Sequence, residues 1–321
     1  MVKIVVLASF NMDLVMRTSR QPAPGETLQG EFATYLGGKG FNQAIAARRL
    51  GAGVSVIGRV GDDEFGQRFL DALDREGIDR RCVSVDPEAG TGVATIVVDG
   101  DGENAIVQAP QANTRLTYDE IVAVAPTFEV HGVKIPQPLA EADAFLTSLE
   151  CPVELGEFLA SILHDLRTGV PLILNPAPAS RIENLPVHPW SVLVPNAIEV
   201  STITGHARVD VASGLEAAQR LARMETADSI VVTLGQDGAV VADHGRLLPV
   251  PAFDVKVVDT VGAGDAFCAA LAVAMAEGAD LAEAVRFANA AGALATTKHG
   301  AEPSMPHRHE VEALLAKGAT V

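Results

Sequence analysis

Short apolar runs alternate with amphipathic stretches along the first quarter of this chain. "KIVVLAS" (residues 3–9) and "VSVIGRVG" (54–61) are continuous apolar runs, which predict buried strands. Between them, "FNQAIAARRLGA" (41–52) has helical spacing, and residues 63–77 form an amphipathic pattern that ends at Gly77, a favourable left-handed helix cap. This order predicts a β-α-β-α unit.

The same rhythm returns in the second half of the chain. Four further strands are predicted by "AFLTSLE", "PLILNPAP", "SVLVPN" and "SIVVTLG", separated by helical stretches such as "VELGEFLASILHDLRTG" and "LEAAQRLARMET". Two alanine-rich helices are predicted near residues 263–278 and 281–297. We therefore expect an α/β fold with a mostly parallel central sheet covered by helices.

Three intervals interrupt this rhythm. Residues 14–35 mix short extended pieces with proline and glycine, and residues 91–108 read as a hairpin turning at 99–102. Together they predict a small β layer that projects from the main sheet as a lid. Residues 126–138 are expected to form an inserted surface loop. With no repeat or linker in the sequence, residues 1–321 are expected to form a single domain.

Composition and charge exclude several classes of protein. The hydrophobic content is 48% but only 4% is aromatic, so alanine, valine and leucine should dominate the core. The formal charge of −17 disfavours a nucleic-acid partner, because such a surface repels phosphates. No apolar run is long enough for a membrane span, and "MVKIVVLASF" is too short for a signal peptide, so we expect a soluble cytoplasmic protein.

Cysteine and histidine give no sign of a metal site. Cys82, Cys151 and Cys268 are widely separated, without metal-ligand spacing, and are expected to be reduced core residues. His307 and His309 lie close together near the carboxyl end but lack further ligands.

The first motif that could carry chemistry is "GGKGFNQA", residues 37–44. Three glycines would let the backbone approach a ligand, with Lys39 as a cation beside it. The motif also fits an ordinary glycine-rich turn before a helix. It is neither a Walker A loop nor a dinucleotide fingerprint, since the chain contains neither G-x-x-x-x-G-K-[ST] nor G-x-G-x-x-G.

The second motif is "DTVGAGDAF", residues 259–267. Gly262, Ala263 and Gly264 can direct successive backbone amides at an anion, at the positive end of the following helix. Asp265 in the first turn could merely complement the helix dipole. If the amides hold a phosphoryl group, however, Asp265 is placed to take a proton from an attacking hydroxyl.

Taken in order, "FNMD", "GGKGFNQA", "GRVGDDEFG", "LNPAP", "NAIE" and "DTVGAGDAF" resemble the ribokinase-like family of carbohydrate kinases over almost the whole chain. The resemblance implies a ribokinase-like three-layer α/β/α fold, with a central mostly parallel sheet and a small β-sheet lid. It also implies phosphorylation of a sugar hydroxyl with ATP and magnesium, and a homodimer formed through the lid.

The resemblance also implies which residues contact the sugar. Seen alone, Asn11 and Asp13 could be a turn at a strand end, and Glu150 a helix cap ahead of Pro152. As ligand residues they would lie at the carboxyl ends of parallel strands, where open α/β sheets bind their ligands. The implied sugar contacts are Asn11, Asp13, Gly38, Lys39, Gly40, Asn42, Glu150 and Asp265, with Asp265 as catalytic base beside an anion hole of Gly262, Ala263 and Gly264.

The nucleotide and cations would use a second set of residues. ATP would contact Asn196, Thr233, Leu234, Gly235, Gln236, Asp237, Gly238, Gly264 and Asn289, with Glu199 in the magnesium region. A solvated first-turn glutamate is the plainer interpretation of Glu199. An activating potassium ion would bind, mostly through backbone carbonyls, at Asp259, Val261, Ala295, Lys298, Gly300 and Ser304.

Some positions depart from the family pattern. The sequence reads N-A-I-E at 196–199 where N-E-T-E is common, and Val261 replaces a common threonine. The glycine turn and "FNMD" lean towards ribose as substrate and ribose 5-phosphate as product. Fructokinase, another ketose or deoxysugar kinase, a nucleoside kinase and a non-catalytic sugar- or nucleotide-sensing relative remain alternatives. The missing fingerprint disfavours a nicotinamide oxidoreductase.

Overall fold

A computed structural model describes residues 1–180, 190–205 and 209–318 and contains a nine-stranded sheet packed against helices, a four-stranded sheet and a two-stranded sheet. The strands are β1 (Lys3–Ala8), β2 (Asn11–Arg17), β3 (Glu31–Gly37), β4 (Gly53–Gly61), β5 (Asp79–Asp86), β6 (Gly92–Val98), β7 (Asn104–Ala109), β8 (Thr127–Val130), β9 (Val133–Pro136), β10 (Ala144–Ser148), β11 (Leu172–Asn175), β12 (Val192–Leu193), β13 (Ser229–Thr233), β14 (Ala239–Asp243) and β15 (Arg246–Val250). The helices are α1 (Lys39–Arg49), α2 (Glu64–Glu76), α3 (Tyr118–Val124), α4 (Gln137–Ala140), α5 (Val153–Leu166), α6 (Ala197–Thr204), α7 (Val211–Arg223), α8 (Ala263–Ala276), α9 (Leu281–Ala295) and α10 (Arg308–Gly318).

Nine strands form the main sheet, in the order β15-β14-β13-β12-β11-β10-β1-β4-β5. Every pairing from β13 to β5 is parallel, whereas β14 pairs antiparallel with both of its neighbours. The chain first moves from β1 to β4 and later returns to place β10 on the other side of β1. The boundary between the paired strands β1 and β10 is therefore a topological switch point. Open α/β sheets bind ligands at the carboxyl ends of the strands at such a point.

The side chains of β1 point alternately to the two faces of the sheet and so pack into two separate layers of the core. Ile4, Val6 and Ala8 pack with apolar residues of α1, α8 and α9, whereas Val5 and Leu7 pack with those of α5 and α7. Because successive side chains of a strand point to opposite faces, one buried strand contributes to both layers. The expected α/β fold with a mostly parallel, helix-covered sheet is confirmed.

Local sequence signals set the ends of helix α2. The Asp63 carboxylate accepts a hydrogen bond from the backbone N–H of Gly66 at 2.7 Å, and the helix ends on Gly77 at φ +66°. Phe69 on this helix packs edge-on against Phe10 and Phe41, with ring centroids 5.3 and 5.0 Å away. Phe10 follows β1 and Phe41 lies in the first turn of α1, so the three rings pack beside the glycine turn described below.

The second sheet has the strand order β3-β2-β6-β7. The predicted hairpin is confirmed, because β6 and β7 pair antiparallel from Val93↔Ala109 to Val98↔Asn104. Strand β2 begins at Asn11, slightly before the interval that the sequence assigned to this layer. That this sheet acts as a lid stays a prediction.

The prediction of a surface loop at residues 126–138 is wrong. Its residues form an antiparallel hairpin of β8 and β9, and α4 begins at Gln137. His131 and Gly132 turn the hairpin at φ +49° and +83°, a two-residue turn that matches strand twist. The same turn, at His244 and Gly245 (φ +43° and +80°), joins β14 to β15, which the sequence pattern also missed.

Within the described residues, the helices are too short or too polar to cross a membrane.

Candidate active site

The glycine turn joins β3 to α1 and presses against the end of β1. Gly38 has φ +95°, and a Cβ atom there would lie 2.5 Å from the carbonyl oxygen of Ser9. A Cβ atom on Gly40 would lie 2.3 Å from the Cα atom of Ala8. Only glycine fits both positions, so the sequence of the turn sets how closely Lys39 and Asn42 approach the sheet.

Glu150 follows β10 and joins this turn to the neighbouring strand. Its Oε2 atom accepts hydrogen bonds from Ser9 Oγ at 2.5 Å and from the backbone N–H of Lys39 at 2.9 Å. The helix-cap interpretation of Glu150 is wrong, because α5 begins after Pro152 without a side-chain cap. The carboxylate instead lies at the switch point between β1 and β10.

Asp265 enters the same region from the first turn of α8. The carboxylate is buried and accepts hydrogen bonds from Asn42 Nδ2 at 2.9 Å and, more weakly, from Gln43 Nε2 at 3.5 Å. The amide oxygens of Asn42 and Gln43 are buried and lack a hydrogen-bond partner among the described residues. Buried polar atoms are normally satisfied, so these two acceptors are available to a donor such as a ligand hydroxyl group or a water molecule.

The start of α8 exposes backbone amides beside Asp265. Gly262 caps the helix at φ +81°, and a Cβ atom on it would lie 2.8 Å from Met305 Cε. The amides of Ala263 and Gly264 belong to the first turn, at the electropositive end of the helix. The N–H of Ala263 donates to the carbonyl oxygen of Thr260 over a long 3.3 Å, a bond that a bound anion could replace. This geometry can hold an anion next to a carboxylate.

The charges in the site shift each other's titration. Burial is the main cause that raises the pKa of Asp265 to about 6, opposed by Lys39 and reinforced by Glu150. Burial, followed by the charges of Glu150 and Asp265, raises the pKa of Asp13 to about 7. Burial alone would lower the pKa of Lys39, but Asp265, Glu150 and Glu199 outweigh it and raise that pKa. The site therefore combines a fixed ammonium with carboxyl groups that can exchange a proton near neutral pH.

Asn11 and Asp13 lie within β2 rather than in a turn, so the turn interpretation is wrong. Asn113, which the sequence analysis missed, holds this strand in place. Its Nδ2 donates to Asn11 Oδ1 and to the carbonyl of Phe10, both at 3.0 Å, and its Oδ1 accepts from the N–H of Phe10 at 2.8 Å. Asn113 sits in a short 3-10 segment without a recognisable motif, so no sequence signal marked it.

A cavity of about 830 Å³ opens on the other side of the α8 start. This volume lies within the range of small-molecule sites. Six of the residues expected to bind a nucleotide line it: Thr233, Gly235, Gln236, Gly238, Gly264 and Asn289. Leu234 and Asp237 lie between these residues in the chain, and Asn196 forms an isolated parallel bridge with Thr233, but none of the three lines the cavity. The wall also includes Ala252, Phe253, Val255 and Val257, an irregular segment that no periodic pattern could predict.

Asn289 shapes this cavity through the backbone. Its Nδ2 atom donates to the carbonyl oxygens of Val250 and Pro251 at 3.0 and 3.1 Å. The bonds fix the segment that leaves β15 and becomes the cavity wall. Asn289 is thus both a lining residue and a support.

Asn196 and Glu199 form a reciprocal cap at the start of α6. Asn196 Oδ1 accepts from the N–H of Glu199 at 2.9 Å, and Glu199 Oε2 accepts from the N–H of Asn196 at 2.7 Å. Glu199 is only 3% exposed, so the solvated interpretation of this residue is wrong. Burial raises its pKa, with the Asn196 hydrogen bonds and Lys39 acting in the opposite direction.

The structure brings the residues expected around a monovalent cation onto two adjacent loops. Asp259 Oδ1 accepts from the N–H of Val261 at 3.1 Å, and its Oδ2 accepts from the N–H of Gly300 at 3.0 Å. Ala295 ends α9 in the buried core, and Ser304 Oγ donates to the carbonyl of Ala301 at 2.8 Å. The Lys298 side chain points to Glu310, 3.2 Å away, so Lys298 could contribute only its backbone.

No grouping of three or more His, Cys, Asp or Glu side chains suited to a metal ion occurs in residues 1–180, 190–205 and 209–318. Glu199 is a buried carboxylate near Lys39 and Asp265.

Comparisons with known proteins agree with this architecture. Residues 1–308 match the family model described as "pfkB family carbohydrate kinase". Among curated proteins, the "Ribokinase" of Bacillus subtilis (strain 168) is 35% identical over 98% of this chain and 99% of that protein. The "Structure of Ribokinase from Giardia lamblia" has a TM-score of 0.85 at 28% identity, covering 99% of both chains. The "Structure of Arabidopsis thaliana Ribokinase complexed with Ribose and ATP" has a TM-score of 0.82 at 30% identity, and the match covers 98% of this chain and 99% of that chain.

The raised pKa of Asp13 predicts how stability depends on pH. The folded protein keeps this carboxyl protonated up to about pH 7, whereas the unfolded chain releases the proton near pH 4. The free energy of unfolding should therefore fall as the pH rises from about 4 to about 7. Asp13→Asn removes this contribution, so urea unfolding should show a smaller difference between about pH 5 and about pH 8 than in the wild type.

The matched control is Asp101→Asn at the exposed tip of the β6–β7 hairpin, which should leave the pH dependence unchanged. An Asp13→Asn protein with the full wild-type dependence on pH would contradict the assignment of that raised pKa.

Proposed function

This chain belongs to the pfkB family of carbohydrate kinases, and from that premise we propose that it transfers the γ-phosphoryl group of ATP to ribose, giving ribose 5-phosphate. The resemblance to a family of carbohydrate kinases is thereby confirmed. The observation that carries the proposal is the position of Asp265. Its helix start borders the 830 Å³ cavity through Ala263 and Gly264, while its carboxylate contacts the polar cluster around Asn42.

We assign the cavity to the nucleotide. Its walls are mostly apolar and backbone groups, which suit a flat base, and it ends at the amides of Ala263 and Gly264, which suit phosphates. The printed description of the Arabidopsis relative includes ATP, which supports this assignment. The residues assigned to ATP are Asn196, Thr233, Leu234, Gly235, Gln236, Asp237, Gly238, Gly264 and Asn289.

We assign the carboxylate cluster to ribose. Asp13 and Glu150 offer acceptor oxygens, and the unpartnered Oδ1 of Asn42 can accept from one more hydroxyl. Lys39 keeps the accumulated negative charge compensated. The residues assigned to the sugar are Asn11, Asp13, Gly38, Lys39, Gly40, Asn42, Glu150 and Asp265.

The proposed reaction passes through the start of α8. Asp265 accepts the proton of the sugar's primary hydroxyl as that oxygen forms a bond to the γ-phosphorus. The bond from the γ-phosphorus to the bridging oxygen breaks, and its electron pair leaves with ADP. The amides of Gly262, Ala263 and Gly264 stabilise the charge on the transferred group. A base with a pKa near 6 is mostly ionised at neutral pH and still basic enough to assist.

We assign Mg²⁺ to the region of Glu199. Magnesium usually binds one or two protein carboxylates together with substrate phosphates, so a single buried carboxylate near Lys39 fits it. When bound, the ion supplies neutralisation of the nucleotide phosphates.

We assign K⁺ to the loops of Asp259, Val261, Ala295, Lys298, Gly300 and Ser304. The 259–262 loop contains the anion-hole cap Gly262, which packs against Ala301 and Met305. A cation held by carbonyls of both loops would fix the anion hole without touching the reacting groups.

We also propose one kinase domain of residues 1–321 in which the second sheet serves as a lid and as the surface of a homodimer. Phe32 on β3 and Val107 on β7 are 61% and 75% exposed. The pairing registers put both on the face opposite Asp13, so an apolar surface points away from the sugar site.

The three buried thiols suit a cytoplasmic location, where cysteines stay reduced.

The substrate is tested with a panel of ribose, 2-deoxyribose, fructose and nucleosides, measuring ADP release with ATP and magnesium. We expect the highest kcat/KM with ribose, since the site is rich in acceptors for sugar hydroxyls. A preference for a nucleoside or for fructose would replace the proposed substrate. Turnover of none of them, with sugar binding retained in calorimetry, would favour the sensing alternative.

The cation assignment is tested by comparing KCl with NaCl at equal ionic strength. We expect higher kcat and a higher melting temperature in KCl, because the ion would join the two loops around Gly262. A flat response of both quantities across a titration would contradict the potassium site. Chelation of Mg²⁺ should abolish turnover in either salt.

The dimer is tested by sedimentation. We expect a mass of about twice the 33.5 kDa of one chain, and Val107→Glu should shift the protein towards the monomer by placing a charge in the apolar surface. A wild-type protein that sediments as a monomer at micromolar concentration would refute this assignment.

A further inference from the structure

One side chain of the second sheet reaches into the carboxylate cluster of the main sheet. Gln108 on β7 donates from Nε2 to Glu150 Oε1 at 3.0 Å. The other oxygen of Glu150, Oε2, accepts hydrogen bonds from Ser9 Oγ at 2.5 Å and from the backbone N–H of Lys39 at 2.9 Å. The carboxylate thus receives donors from three separate parts of the chain, and only Gln108 approaches from the second sheet.

The pairing registers of the second sheet place Gln108 in line with Asp13. Asp13 pairs with Ala94, and Ala94 pairs with Gln108. Directly paired residues share a face of a sheet, so these three side chains point the same way. Asp13 and Gln108 are two strands apart, roughly 10 Å at the usual strand spacing, with only the methyl group of Ala94 between them. The row therefore has a polar side chain at each end and a small one in the middle.

Its hydrogen-bonding chemistry distinguishes Gln108 from Asp13 and Glu150. Asp13 and Glu150, when ionised, can only accept hydrogen bonds, whereas a primary amide both donates and accepts. A sugar hydroxyl that donates to Glu150 Oε1 could therefore also accept from Gln108 Nε2. In the absence of that hydroxyl, the amide and the carboxylate satisfy each other, as the structure shows.

We propose that Gln108 is a specificity-determining residue that, with Glu150, recognises one of the two secondary hydroxyl groups at C2 and C3 of the sugar. This inference rests on the proposed function, since it assigns a role within the same sugar site. It makes the second sheet a source of substrate recognition as well as a cover. A sugar that lacks the recognised hydroxyl loses the hydrogen bond to the Glu150 carboxylate and the hydrogen bond from the Gln108 amide.

The test measures kcat and KM of the wild type and of Gln108→Leu with ribose, 2-deoxyribose and 3-deoxyribose. With ribose, we expect Gln108→Leu to lower kcat/KM about ten- to a hundredfold, mainly through KM, as for a lost hydrogen bond to a charged pair. For the one deoxysugar that lacks the recognised hydroxyl, the variant and the wild type should be nearly equal, since the contact is already missing.

A second variant, Gln108→Glu, retains the shape of the side chain but places a carboxylate against Glu150. We expect its KM for ribose to exceed the wild-type KM more at about pH 8 than at about pH 5.5, because protonation of one carboxyl relieves the repulsion. The matched control is Gln137→Leu, which removes the same kind of bond, from Gln137 Nε2 to Glu141 Oε1 at 2.7 Å, on α4 outside the site. It should match the wild type with every sugar.

Two results would overturn the proposal while leaving the proposed function intact. One is an unchanged KM for ribose in Gln108→Leu. The other is an equal loss with ribose and with both deoxysugars, which would indicate a structural role. Failure of the wild type to bind or phosphorylate any pentose would instead refute the proposed function and this inference together.

Discussion

The structure depends on the compensation of several carboxylates by one ammonium group at the carboxyl edge of the sheet. Burial and the charges of Glu150 and Asp265 raise the pKa of Asp13, and burial and Glu150 raise that of Asp265, where Lys39 acts in the opposite direction. Buried charges are costly unless they are paired and hydrogen-bonded. Here Glu150 is held by Ser9 and a backbone amide, and Asp265 by Asn42. Burial together with the neighbouring charges leaves the pKa of Asp13 at about 7 and that of Asp265 at about 6, and a pKa in this range is what a general base needs.

Three glycines, two in the turn before α1 and one at the start of α8, make this concentration of charge possible. Gly38 and Gly40 let the turn touch β1, so the N–H of Lys39 reaches Glu150. Gly262 lets α8 begin against the 301–305 segment, so Asp265 enters the cluster while Ala263 and Gly264 face the cavity. One helix start therefore separates the two proposed substrates and contacts both. Positioning of this kind is most of what phosphoryl transfer requires of a protein.

Periodic patterns in the sequence predicted the fold well, because buried strands and amphipathic helices leave strong local signals. The strands at 3–8, 53–61, 144–148 and 229–233 and the helix cap at Gly77 are of this kind. The turns at His131–Gly132 and His244–Gly245 were missed because a histidine in the left-handed region is an unusual signal. Motifs predicted side chains that the structure brings together around Asp265, but not the residues that support them. Asn113 and Gln108 act through contacts with residues more than forty positions away, which no local pattern contains.

The central claim is that Asp265 deprotonates the sugar hydroxyl, and Asp265→Asn tests it most directly. Single-turnover phosphorylation of bound ribose should slow by about 10²–10⁴-fold, while ribose affinity measured by calorimetry stays within a few-fold of wild type. Asp13→Asn is the matched control, and it should weaken ribose binding more than it slows the step. A rate for Asp265→Asn close to that of the wild type would contradict the claim.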